Sequence, residues 1–138
     1  ESWRDQAVRL QADMDNFRRR QQRLARDEIE TERERLLKSF LLIVDDLARA
    51  LSASADDGQA VRQGVELTLR TAHSLLQKEG VAQIEALGRP FDPNWHEAVA
   101  TVSHRGSRIA PGTVVEVAQT GYRLNDRLLR PARVVVAV

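Results

Sequence analysis

The chain contains no cysteine. That excludes disulfide staples, thiolate catalysis and Cys-based zinc sites, and it fits a reducing compartment. Aromatic residues are scarce, at 4% of 138 residues, while apolar residues reach 42%, enough for a core. An excess of one charge is also missing: 21 basic residues meet 20 acidic ones, for a net charge of +1. This balance argues against nucleic-acid binding driven by bulk charge and against an acidic tail. No apolar run approaches the roughly 20 residues of a membrane span, and no signal-peptide pattern opens the chain. Because the sequence begins at Glu1 rather than Met, a further segment upstream is expected.

Two more absences divide the chain. No proline precedes Pro90 and no glycine precedes Gly58, so the first 57 residues lack both strong helix breakers. Val plus Ile number 6 in residues 1–79 and 12 in residues 80–138. The first part therefore reads as helical and the second as β-rich, with the boundary near Gly80, a natural left-handed stop after Lys78 and Glu79. Within the helical part, the small polar stretch 52–58 breaks one helix over about 2–51 from a second over about 60–79. At 1.5 Å per residue these would measure ~75 Å and ~30 Å. An antiparallel hairpin then leaves roughly the first 30 residues of the long helix without a partner in its own chain, and a lone charged rod of that kind is poorly supported. A second chain is implied.

The periodicity agrees. Leu37, Phe40, Val44, Leu47 and Leu51 step by 3, 4, 3, 4, the spacing of a coiled-coil seam. Val61, Val65, Leu69, Ala72 and Leu76 give the second helix a similar stripe. Leu36, Leu41, Ile43, Leu67 and Leu75 widen both faces, which suits a four-helix bundle built from two hairpins. Upstream, Leu10, Met14, Phe17 and Leu24 keep the spacing, but the stretch 26–35 is almost entirely charged and marks a weak point. The clearest strands are 113–118 and 133–138. A third, 121–124, enters a tight turn at Asn125-Asp126, and 99–102 and 81–84 are weaker candidates. At ~59 residues this β domain is near the lower limit for folding alone and is expected to lean on the helices. The class is α+β.

Signals of catalysis are poor. His73, His96 and His104 are scattered, without metal-ligand spacing. Neither a nucleophile elbow nor a phosphate-binding glycine loop occurs. The basic run Arg18-Arg19-Arg20, joined by Arg23 and Arg26, reads either as a solvated face paired with Asp13, Asp15, Asp27 and Glu28 or as a site for an acidic protein partner. Flanking acids and the lack of stacking aromatics argue against nucleic acid. Arg49 can pair with Asp45 at i,i+4. Gly64, inside the second helix, costs roughly 1 kcal/mol against alanine, which close approach of another backbone would explain. Asp92-Pro93-Asn94 can cap a short helical turn over 95–98, and Gly121 would supply a special backbone angle beside Tyr122.

Several motifs then coincide in order: Met14-Asp-Asn-Phe-Arg-Arg-Arg20, Gly64-Val-Glu-Leu-Thr-Leu69, Gly88-Arg-Pro-Phe-Asp-Pro-Asn-Trp-His-Glu-Ala-Val99, Pro111-Gly112, and Gln119-Thr-Gly-Tyr-Arg-Leu-Asn-Asp-Arg-Leu-Leu-Arg-Pro-Ala132. Together they closely resemble the GrpE family, the nucleotide exchange factors of DnaK-type chaperones, over nearly the whole chain.

The resemblance implies a parallel homodimer. Residues 1–79 would form the coiled-coil and helix-bundle dimerisation domain, with Leu10, Met14, Phe17, Leu37, Phe40, Val44, Leu47, Leu51, Val65, Leu69 and Leu76 at the dimer contacts. Residues 80–138 would form a small β domain that contacts the chaperone. It implies binding to the chaperone ATPase domain, opening of its nucleotide cleft and release of ADP. No cofactor, nucleic acid, membrane or direct nucleotide binding is implied, and the setting is the bacterial cytoplasm. By similarity the chaperone-facing residues are Arg18, Arg49, Gly64, Phe91, Pro93, Ala118 and Val136. The long helices would also act as a thermosensor. Linkage supplies the logic: a protein that weakens ADP binding need only prefer the open cleft to the closed one. A non-catalytic dimeric coiled-coil scaffold is the alternative.

Overall fold

With no glycine or proline to interrupt it, one helix propagates through the first third of the chain. In this computed structural model, which describes residues 2–53 and 58–138, α1 runs from Trp3 to Ala53. A reciprocal cap opens it: the Asp5 N–H donates to Ser2 Oγ and the Ser2 N–H to Asp5 Oδ2, both at 3.4 Å. This satisfies donors that the first turn cannot use. The second helix, α2, spans Gln59–Lys78. Most of the break expected over 52–58 falls on 54–57, outside the described residues. At the far end of α2 the Gly80 N–H donates to the Gln77 carbonyl at 3.0 Å. The φ of Gly80, +85°, turns the chain out of the helix, as the sequence predicts.

Two units result, Glu1–Ser39 and Phe40–Val138. The first is purely helical and charged. Arg33 pairs with Glu30 at 3.7 Å and Arg35 with Glu32 at 2.9 Å, both at i,i+3, contacts that each steady a helix by a few tenths of a kcal/mol. Leu10, Met14, Phe17 and Leu24 are exposed within the protomer.

The second unit holds the end of α1, α2 and six strands: β1 (Val81–Gln83), β2 (His96–Val102), β3 (Val114–Gln119), β4 (Tyr122–Leu124), β5 (Arg127–Arg130) and β6 (Ala132–Ala137). The fold is α+β. One sheet has the order β1-β4-β5, all antiparallel. The other has the order β2-β6-β3, with β2 parallel and β3 antiparallel to β6. Leu41 and Val44 of α1, Ala72 and Leu76 of α2, and Val81, Tyr122, Leu124 and Leu129 of the first sheet are buried. A second cluster, Ala86, Val114, Ala132, Val134 and Val136, fills the other sheet, with Phe91 and Val117 packed against it.

Three local expectations are corrected. No helical turn forms over 95–98. The Asp92 carboxylate accepts from the Asn94 N–H at 3.0 Å, and the Asp92 carbonyl accepts from Trp95 and His96 at 3.0 and 2.8 Å. This tight turn delivers the chain into β2, whose ladder to β6 begins at His96↔Ala132; pairing along six partners outweighs a local cap. Strand β5 carries neither Val nor Ile and was not expected. It exists because Asn125, with φ +54°, folds a two-residue hairpin that sets Leu124 against Arg127.

Gly121 has no positive φ. Its reason is steric: a Cβ there would lie 2.3 Å from the Ala132 nitrogen and 2.7 Å from the Ala132 Cα. The link from β3 to β4 touches the link from β5 to β6 at this point, backbone against backbone. Gly121→Ala is therefore expected to destabilise the fold by about 3 kcal/mol. The urea midpoint should fall with an unchanged slope; an unchanged midpoint would count against the contact.

Candidate partner-docking groove

The last turns of α1 and the end of β3 enclose a cleft of about 480 Å³. Arg49 and Ser52 line its helical wall; Val117, Ala118, Thr120 and Arg133 line the sheet wall. Arg49 and Ala118, assigned by similarity to one surface, thus share a cleft. The expected Arg49–Asp45 pair does not form. Arg49 meets Asp46 instead, at 3.3 Å and i,i+3, because both Asp45 oxygens are taken by Arg130.

That second interaction is the best-defined polar contact of the unit. Arg130 donates from Nη1 to Asp45 Oδ2 at 2.7 Å and from Nη2 to Asp45 Oδ1 at 3.0 Å. Its Nε and Nη2 also donate to the Thr120 carbonyl, at 3.1 and 2.6 Å. Gln119 Nε2 adds a longer bond to Asp45 Oδ2 at 3.4 Å. The side chains of Arg130 and Asp45 are only 15% and 17% exposed, and the guanidinium lies 5.3 Å from the centre of the Tyr122 ring. A two-pronged, largely desolvated pair of this geometry is stronger and more directional than a surface ion pair. The sequence shows Asp45 and Arg130 but gives no sign that residues 85 positions apart meet.

Phe91 and Pro93 line a different cleft, of about 510 Å³, with Ile84, Trp95 and His96. His96 is 8% exposed. Its Nδ1 accepts the Asp92 N–H at 3.0 Å, and its ring lies 5.9 Å from that of Phe91. The imidazole therefore holds the 91–93 turn in place. Val136, at 6% exposure, has little surface to offer a partner. It sits in the core against which both Phe91 and Val117 pack, so its reach to either cleft is through packing.

Gly64 faces open space: nothing lies within 4 Å of where its Cβ would be, so no backbone of this protomer, among the described residues, accounts for it. Arg18 lies in the first unit and is exposed. Of the seam residues, Val44 and Leu76 are buried within the protomer, Leu37, Phe40, Leu47, Leu51, Val65 and Leu69 are partly buried, and Leu10, Met14 and Phe17 are exposed. Among the described residues no group of three or more His, Asp or Glu could hold a metal ion, and no helix is long and apolar enough to cross a membrane.

The sequence model of the GrpE family matches residues 1–138. The chain belongs to the GrpE family. It is 44% identical over 132 residues to Protein GrpE of Parageobacillus thermoglucosidasius, a match covering 94% of this chain and 58% of that protein. Against Protein GrpE of Methylococcus capsulatus it is 42% identical over 140 residues, covering 99% of this chain and 74% of that protein. With the Stenotrophomonas maltophilia protein of the same name the identity is 43% over 135 residues, covering 95% and 75%. The chain thus spans between about three fifths and three quarters of the length of these relatives.

Burial pushes the Tyr122 phenol above its ordinary value of 10.0; the Arg130 cation opposes this and the Asp45 carboxylate adds to it. A raised folded-state value means that the neutral phenol is favoured by folding. Its contribution to stability is complete below pH 10 and is lost as pH rises through the folded value. Tyr122 is the sole tyrosine, so tyrosinate absorbance reads it directly. The titration midpoint should lie above that of the urea-unfolded chain; coincident midpoints would contradict the buried site.

Proposed function

We propose that this chain is an adenyl-nucleotide exchange factor. It binds the ATPase domain of a DnaK-type chaperone, opens the nucleotide cleft and accelerates ADP release, so serving protein folding and the heat-shock response. The observation that carries the reading is family membership across residues 1–138. The cleft between Arg49 and Ala118, and the second one beside Phe91 and Pro93, support it as places where a partner can dock. The protein acts without catalytic residues or a nucleotide site of its own. It works by binding the open form of the chaperone better than the closed form, so that ADP and the exchange factor weaken each other's binding by the same factor.

The working form is a homodimer. Exposed Leu10, Met14 and Phe17 supply an unpartnered apolar stripe on α1, and the open space beside Gly64 leaves room for a second backbone. Pairing of the two long helices covers this stripe, and the two hairpins complete a four-helix bundle further along the chain. The setting is the bacterial cytoplasm, with no membrane or nucleic-acid partner. Arg18 extends the chaperone contact along the helix.

Stopped-flow release of a fluorescent ADP analogue from the cognate chaperone tests the reading. Sub-stoichiometric amounts of the chain should accelerate release strongly, and Arg49→Ala or Pro93→Ala should each reduce the effect by about tenfold, as loss of a contact worth 1–2 kcal/mol would. A folded dimer that leaves release unchanged would be a coiled-coil scaffold instead.

The charged stretch 26–35, poor in apolar residues, supports a thermosensor role for α1. Calorimetry with far-UV dichroism should find reversible loss of helix before the β strands unfold. A single cooperative transition would rule this out.

A further inference from the structure

The end of α1 is anchored by apolar packing, with Leu41 and Val44 buried, and such packing is not directional in the way a hydrogen-bonded fork is. Hydrogen bonds from Arg130 and Gln119 converge on Asp45 and give the contact between helix and sheet its direction. The walls of the Arg49–Ala118 cleft belong to α1 and to the end of β3. Between them stands the Asp45–Arg130 pair, one helical turn from Arg49 and, through Gln119 and Thr120, next to Ala118. Arg130 is fixed from the sheet side by two bonds to the Thr120 carbonyl and by the Tyr122 ring, so it is a rigid arm rather than a flexible one. Asp45, held by both oxygens, fixes the rotation of α1 about its axis as well as its distance from β3.

We propose that the Asp45–Arg130 clasp is a positioning device: it holds the helical and sheet walls of the cleft in the one arrangement that the chaperone can engage, without touching the chaperone itself. The inference rests on the exchange-factor reading and names the residues that make its docking surface rigid. Neither residue is among those expected from the family resemblance to contact the partner. Asp45 borders the cleft, but its carboxylate is engaged by Arg130, and the two side chains are too enclosed to offer much of a surface. Lysine cannot replace Arg130, because an ammonium lacks the planar fork that grips both carboxylate oxygens while bonding Thr120. Asparagine at position 45 keeps the shape but removes the charge.

The absence of native cysteine permits a direct test. Ala50→Cys on α1 and Glu116→Cys on β3 lie outside the cleft lining and are exposed. They carry spin labels, diluted with unlabelled chain so that only distances within a protomer are read. With the clasp intact, a single narrow distance is expected. Arg130→Lys and Asp45→Asn should each broaden it, while far-UV dichroism reports unchanged helix content. At sub-saturating amounts both variants should lose about tenfold of the ADP-release acceleration; at saturation the release rate should recover, because the clasp sets the fraction of chains competent to dock and not what they do once docked.

A narrow distance that persists in both variants would overturn the proposal. So would a loss that persists at saturation, which would make these residues direct contacts. If the unvaried chain accelerates nothing, the exchange-factor reading falls and the docking role falls with it. The spin distances then still report whether the pair holds the helix to the sheet, which keeps the two failures apart.

Discussion

The contact between the Gly121 and Ala132 backbones is the constraint from which the rest of the second unit follows. Only glycine allows the two inter-sheet links to touch, and that touch fixes their neighbours. Thr120, one residue before Gly121, presents its carbonyl to Arg130, two residues before Ala132. Tyr122, one residue after Gly121, lies with its ring beside the same guanidinium. Arg130 is therefore aimed by the crossing before it meets any helix. Asp45 then completes an arrangement whose sheet half already exists.

The choice of an ion pair at that point has a physical consequence. Burying two charges is costly, and an apolar pair of similar volume would often hold two elements together equally well or better. A fork, however, is directional in a way that apolar packing is not. It fixes the angle at which α1 meets the sheet, and a broken half leaves an uncompensated charge that penalises other angles. The chain has 19 Arg and 2 Lys, and at Arg130 the planar geometry is used on two partners at once, Asp45 and the Thr120 carbonyl. Arg35 with Glu32 and Arg49 with Asp46 lie in solvent-exposed i,i+3 pairs, where lysine would do nearly as well.

What was legible in the sequence was what composition and period encode. The long helix followed from missing breakers, its end and that of α2 to within about two residues, and β3 and β6 from their runs of valine. The misreadings share a cause. β5 has no strand-forming composition and is made by the hairpin that precedes it. The turn at Asp92 looked like a helix cap because Asx turns and helix caps use the same side chains; what distinguishes them is the ladder that pairs His96 with Ala132 of β6, 36 residues further on. Gly121 looked like a dihedral requirement and is a steric one, and Arg49 looked like the natural partner of Asp45 until Arg130 arrived from the far end of the chain. Local rules gave the elements, while the candidate docking surface depends on pairings at long range that no local rule contains.

A protein that changes another by binding one of its conformations has a demand placed on its own stiffness. The coupling it can exert is limited by the difference between its affinities for the two states. A docking surface whose walls move freely adapts to both states and loses that difference. On the exchange-factor reading, the cleft at the end of α1 must therefore be rigid where it meets the chaperone, even though the same reading makes the charged stretch 26–35 of that helix its weak part. The boundary between Ser39 and Phe40 separates these requirements. Before it lies a helix with exposed ion pairs and exposed apolar residues. After it, Leu41 and Val44 are buried and Asp45 is clasped within the next turn, so softening of the first part need not loosen the groove.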